Sequence, residues 1–262
     1  NSFDGDVSEL EVDEDEVDDS DANNDDVDDD VDDEVTLDED DADIDDAVNG
    51  AAFGCFANSG QICMSTERII VDQKIADEFA RKFADKARNL PLGDPRKPEP
   101  VVLGSVIGMS TVEHCNALVD DALAKGAKLL CGGKADSTLM PATVLDHVTP
   151  AMRIYHEETF GPVKCIVRVR GIEEAIACAN DNEYGLSAAV FGKDIARAFN
   201  VARKIDSGIC HVNGPTVHDE AQMPFGGVKG SGIGRFGGKA GIAEFTELRW
   251  VTIQTTPRHY PF

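Results

Sequence analysis

The chain has 262 residues, 42% of them apolar, enough for a sizeable core in one large domain or two small ones. Its formal charge of −26 arises from 50 acidic and 24 basic residues, and the whole excess sits in residues 1–50, which hold 26 acids and no base. Residues 51–262 are neutral overall, so the acidity belongs to one end, and nucleic acid is excluded as a partner because phosphates repel that end.

Residues 1–36 read as a disordered acidic tail. Runs such as Asp28–Asp33 repel themselves, and isolated valines do not offset the entropy of ordering. The acids lack the glycine and glutamate spacing of a calcium loop. Helical spacing then runs from Asp43 to Ala57 through Ile44, Ala47, Val48, Ala51 and Ala52. Glu67–Asp72 is short and β-branched, hence a strand. Lys74–Leu90 carries Ile75, Phe79, Phe83 and Ala87 on one stripe and ends at Pro91, which predicts an amphipathic helix. A second such helix spans Thr111–Lys125 and is closed by Gly126. Strands are predicted at Lys128–Cys131, Ala142–Val144 and Val163–Val169, then a helix at Ile172–Asn182. A strand holding Val190 and Phe191, a helix at Asp194–Ile205 and a strand at Ile209–Val212 follow. Such alternation implies an α/β layer structure with a mainly parallel sheet and flanking helices. Phe245–Gln254 alternates well enough for an exposed strand.

No apolar run approaches the ~18 residues of a membrane span, so no membrane partner is expected. The seven cysteines, Cys55, Cys63, Cys115, Cys131, Cys165, Cys178 and Cys210, form no Cys-x-x-Cys pair, and their odd number argues against a disulfide framework. A reducing compartment follows, and with no leader-like stretch at the start a cytoplasmic location is expected. The six histidines show no zinc spacing, and no metal is expected. Gly232–Gly237 satisfies G-x-G-x-x-G, but no preceding strand, following helix or acid ~20 residues later is evident, so it reads as a glycine-rich loop.

The chemistry concentrates at Gly60-Gln61-Ile62-Cys63, inside Phe53–Arg68, where one cysteine stands behind a glycine turn just before an amphipathic helix. A nucleophilic thiolate needs an accessible sulfur, backbone N–H groups to hold negative charge, and a dipole that lowers its pKa from about 8.5. A cysteine so placed also fits a small buried residue behind a turn. Four stretches follow it: Glu157–Val163 (Glu-Glu-Thr-Phe-Gly-Pro-Val), Asn182–Ser187, Val212-Asn213-Gly214 and Met223–Gly232. In this order and at these separations they resemble the C-terminal half of the aldehyde dehydrogenase superfamily, from about Asp38 to Phe262.

That resemblance implies a catalytic domain over residues 37–244 and a C-terminal oligomerisation strand and tail over 245–262, hence a homo-oligomer. It places the nucleophile at Cys63, which attacks an aldehyde, passes a hydride to NAD or NADP and yields a thioester that water hydrolyses. It also implies that Glu158 hydrogen-bonds the nicotinamide ribose and that Phe160 packs by the nicotinamide ring; without it, Glu157 and Glu158 read as a surface pair before a turn. Asn182, Asn213 and Pro224–Gly227 read as loop-shaping residues. The stretch His211–Gly227 and the ending Arg258–Phe262 resemble the aromatic-aldehyde branch, the salicylaldehyde and vanillin dehydrogenases, so the implied substrate is a small aromatic aldehyde.

Several family features have no match. The cofactor-binding half, its oxyanion-hole asparagine and its ribose-binding lysine are not found, so cofactor binding and hydride transfer by this chain alone are not expected. The position of the family's general base, 34 residues before the cysteine, falls on Asp29, which is not assigned that role because a flexible acidic run cannot hold a base within hydrogen-bond reach. The uncovered face predicts self-association. Alternative readings are a catalytically dead relative serving as an interaction or oligomerisation module, and residual ester hydrolysis through Cys63.

Overall fold

The computed structural model describes residues 43–262. The predicted tail at 1–36 and Asp29 lie outside the described residues.

Helix α1 (Ile44–Phe56) starts at Asp43, whose carboxylate accepts from the backbone N–H groups of Asp45 and Asp46 at 3.0 and 3.1 Å. This satisfies donors that the first turn leaves without partners. Helix α2 (Ala76–Arg88) buries Phe79, Phe83 and Ala87 of the predicted stripe, with Ala80 and Ala84 beside them, while Ile75 precedes the helix and is half-buried. Phe83 stacks on Phe56 of α1 at 5.8 Å and on Phe79 at 5.6 Å, locking the two helices together.

The central sheet has the order β1-β4-β3-β2, from β1 (Arg68–Asp72), β2 (Lys128–Cys131), β3 (Thr143–Asp146) and β4 (Val163–Val169). β4 lies between β1 and β3, parallel to both, with Arg68 opposite Cys165 and Thr143 opposite Val163. β2 runs antiparallel to β3, because the short connection between them contains no crossover helix. The sheet is therefore parallel through its centre and mixed at one edge. Alternate residues divide between two cores. Ile69, Val71, Val144 and Ile166 pack with α1 and α2; Leu145, Cys165, Val167 and Val169 pack with α3 (Met109–Ala124), α4 (Arg153–His156) and α5 (Gly171–Asn180).

The remaining elements are β5 (Tyr184–Gly185), β6 (Ser187–Val190), α6 (Ile195–Ala202), β7 (Ile209–Val212), β8 (Val228–Lys229) and α7 (Gly238–Glu244). β6 and β7 pair in parallel across α6, and β5 pairs with β8 antiparallel. Three differences from the sequence reading stand out. The strand expected at Val190 and Phe191 lies at Ser187–Val190. Phe245–Gln254 forms no strand and is exposed. The glycine loop at Gly232–Gly237 does have a short strand, β8, before it and a helix, α7, after it. That strand pairs antiparallel with β5 rather than opening a βαβ unit, so the loop remains unlike a dinucleotide fingerprint. Among the described residues no helix is long and apolar enough to cross a membrane.

Candidate active site

Three consecutive residues after α1 adopt left-handed backbone: Asn58 at φ 51°, Ser59 at φ 57° and Gly60 at φ 74°. For non-glycine residues this costs energy and needs support from the surroundings. Support comes from hydrogen bonds. Asn58 Nδ2 donates to the Gln61 carbonyl at 3.2 Å, Gln61 Nε2 donates back to the Asn58 carbonyl at 3.1 Å, and Gln61 Oε1 accepts from the Ile107 N–H at 2.8 Å. Ser59 Oγ donates to the Gly104 carbonyl. Gly60 is required for a second reason, since a Cβ there would lie 2.3 Å from the Gly161 carbonyl oxygen. The cysteine turn thus lies backbone-to-backbone against the loop that carries Glu158 and Phe160.

Cys63 comes next and is exposed, whereas Cys55, Cys115, Cys131, Cys165 and Cys178 are buried and Cys210 is half-buried. A turn and then β1 follow it, rather than the amphipathic helix expected; α2 begins only at Ala76. Burial pushes the Cys55 and Cys165 thiols up to about 12, and those of Cys115 and Cys210 up to about 11. Iodoacetamide at pH 7.5 is therefore expected to alkylate Cys63 ahead of the other six thiols. Peptide mass mapping after brief exposure checks this, and early label on any of the buried five contradicts it.

The second loop follows α4. Arg153 of α4 holds Glu157 through two hydrogen bonds of 2.7 Å. The Glu158 carbonyl sits 2.9 Å from His114 Nε2 of α3, while its carboxylate has no protein donor among the described residues. Burial first, and then the negative charge of Glu67, push the Glu158 carboxyl above its ordinary value, with Lys164 opposing. Phe160 has left-handed backbone at φ 43° and a ring residue that is 40% exposed.

Beneath this loop lies a charged cluster that the sequence reading missed. Lys164 of β4 is fully buried and donates to Glu67 Oε1 at 2.7 Å, while Glu67 Oε2 accepts from the Thr159 N–H at 3.0 Å and from Thr159 Oγ1 at 2.8 Å. The available signal was a lysine between the apolar residues Val163 and Cys165 of β4, since lysines are almost never fully buried unless paired.

A cleft of about 630 Å³ brings several of these groups together. Cys63, Glu67 and Glu158 line it, as do residues of β1 and β6; Phe160 does not. Thr66 Oγ1 lies 2.9 Å from Thr216 Oγ1, which joins the segment His211–Gly227 to the chain just after the cysteine. In that segment His211 and His218 meet edge to face at 5.3 Å, and burial followed by the His218 charge lowers the His211 pKa. Asn213 exchanges two hydrogen bonds with Gly192, and Asn182 bonds the Ala179 carbonyl and the Tyr184 N–H, so both shape loops. Among the described residues no three His, Cys, Asp or Glu side chains cluster as metal ligands.

Residues 36–251 match the profile of the aldehyde dehydrogenase family. The chain is 57% identical over 215 residues to vanillin dehydrogenase of Pseudomonas fluorescens, which covers 82% of this chain and 44% of that relative. Its structure superposes on the crystal structure of salicylaldehyde dehydrogenase from Pseudomonas putida G7 complexed with salicylaldehyde. The TM-score is 0.81 at 53% identity, covering 85% of this chain and 46% of the other. It is also similar to an NADP-dependent glyceraldehyde-3-phosphate dehydrogenase from Bacillus halodurans C-125 complexed with NADP, at TM-score 0.74 and 38% identity over 78% of this chain and 42% of that one. The chain thus spans less than half the length of these relatives. With a matching profile over most of its length and relatives this close in sequence and fold, the chain belongs to the aldehyde dehydrogenase family.

Proposed function

We propose that this chain carries the nucleophile of an NAD- or NADP-dependent dehydrogenase that oxidises a small aromatic aldehyde to its carboxylic acid. The observation that carries this reading is the placement of the one exposed thiol, Cys63, on a cleft that Glu158 also lines. The aromatic substrate class rests on the similarity to vanillin and salicylaldehyde dehydrogenases.

Cys63 Sγ, as thiolate, adds to the carbonyl carbon of the aldehyde, and the new oxyanion draws on backbone N–H donors of the cysteine turn. Loss of hydride from that carbon leaves a thioester on Cys63, which water cleaves to the acid and free thiol. Bound NAD or NADP supplies the hydride acceptor. The residues present fit such a dinucleotide: the Glu158 carboxylate stands at the cleft with no protein donor among the described residues, ready to accept from both ribose hydroxyls, and Phe160 offers a partly exposed ring. Exposed Phe245, Leu248, Trp250, Val251 and Ile253 favour a homo-oligomer formed through residues 245–262. A cytoplasmic setting suits the seven free thiols.

The test is formation of reduced nucleotide from benzaldehyde-type substrates by the purified chain, with calorimetric titration of NAD and NADP alongside. Reduced nucleotide appearing in step with carboxylic acid bears the dehydrogenase reading out for this chain and overturns the expectation, drawn from the unmatched cofactor-binding half, that it does not transfer hydride alone. Absence of both binding and turnover, with Cys63 still cleaving an activated ester, sinks the dehydrogenase reading for this chain.

A further inference from the structure

The geometry points to the buried Glu67–Lys164 pair as the positioning device for the loop Glu158–Gly161, holding the proposed ribose carboxylate in fixed relation to the Cys63 turn. The inference deepens the dinucleotide reading of Glu158 and rests on it for its functional consequence.

Four observations converge. Glu67 lies four residues after Cys63, immediately before β1, and reaches the cleft. Its two carboxylate oxygens are divided between the elements: Oε1 takes Lys164 of β4 at 2.7 Å, and Oε2 takes both the N–H and the hydroxyl of Thr159. Thr159 stands between Glu158 and Phe160 and is buried; its hydroxyl oxygen accepts from the Lys164 ammonium at 3.3 Å, and the hydroxyl lies 3.3 Å from the Gly161 carbonyl oxygen. From the other side, Gly60 leaves no room between the cysteine turn and Gly161.

A single carboxylate thereby clamps a backbone amide that neighbours Glu158 on one side and Phe160 on the other. A neutral acceptor would serve the amide but would leave a fully buried ammonium without a countercharge, which explains why an ion pair occupies this place. The same two charges face the Glu158 carboxylate, one of each sign. The pair is thus a positioning element: it touches neither aldehyde nor nucleotide in this account, and acts through Thr159.

A mere stabilising ion pair and a positioning pair differ in what their joint removal does. The variant E67L/K164M removes both charges without stranding either one, so the fold is expected to persist. Amide hydrogen exchange at Thr159 and Phe160 is expected to accelerate by at least ~100-fold, while the amides of α2 and β4 keep their protection. NAD or NADP affinity is expected to fall at least ~10-fold with the KM for aldehyde unchanged. T159V, which spares the ion pair, is expected to move the same two readouts in the same direction by a smaller amount, and decides the matter if the double variant does not fold. Unchanged exchange at Thr159 and Phe160, or unchanged nucleotide affinity in a loop that has loosened, overturns the proposal. If the parent chain binds no nucleotide, the dinucleotide reading of Glu158 fails separately, and the exchange measurement alone upholds or overturns the clamp.

Discussion

A Cys63→Ser variant is expected to lose aldehyde oxidation by at least about 10⁴-fold, on the scale seen when a covalent nucleophile is removed from other enzymes. A hydroxyl at this position is far less ionised near neutral pH than a thiol and is the weaker nucleophile, and among the described residues no side chain hydrogen-bonds the Cys63 sulfur as a base would. The loss is chemical rather than structural. Cys63 is exposed and lies outside both cores, and exposed substitutions usually change stability by no more than about 0.5 kcal/mol. Thermal unfolding should therefore coincide with the parent, and nucleotide affinity should be retained, while the single-turnover yield of reduced nucleotide vanishes. Retention of a tenth of the parental rate would remove Cys63 from the nucleophile position.

Phe83→Ala should produce the largest stability loss, about 3–5 kcal/mol, from lost burial and the cavity left behind. Phe83 is completely buried and stacks on both Phe56 and Phe79, so its removal takes contacts from both rings. For a domain of this size that loss corresponds to a fall in Tm of roughly 6–20 °C. The effect should reach the site, because Phe56 is the last residue of α1 and the left-handed turn leading to Cys63 begins two residues later, at Asn58. Alkylation of buried Cys55, on the same turn of α1, should accelerate as the helix end loosens. Denaturant unfolding of the variant measures the first quantity, and timed alkylation the second.

How much was legible in the sequence depended on whether a local signal carried the feature. The stripe of α2 was visible because its apolar residues repeat at helical spacing along the whole helix, and β4 because five of its seven residues are apolar and mostly β-branched. The four-residue α4 and the two-residue strands β5 and β8 are too short to show any period. β2 read correctly as a strand, yet its antiparallel direction depends on a connection without a helix, which appears only when the whole topology is laid out. Within the site, the cysteine, the glutamate and the phenylalanine stood out through the family motifs that contain them. The structure places Cys63 and Glu158 on one cleft and leaves Phe160 off its lining. Glu67 escaped because a charge just before a strand ordinarily reads as a solvated end, and only the partner 97 positions later, Lys164, reveals it as buried machinery. Gly60 was noticed as a turn former; its contact with Gly161, a hundred residues on, has no signature in the local sequence.

The contrast between one open sulfur and six shielded ones sets how the protein ages under oxidants. Peroxides attack thiolates that they can reach, so damage should begin at Cys63 and proceed from sulfenic toward sulfinic acid there, while the packed thiols of both cores stay reduced. Because Cys55, Cys115 and Cys165 sit far from the ionisation range of neutral solution, none is placed to act as a resolving partner and trap the sulfenic form as a disulfide. The atom proposed for turnover is then also the point of failure, and its protection rests on small-molecule reductants or on an occupied cleft rather than on Cys55, Cys115 or Cys165.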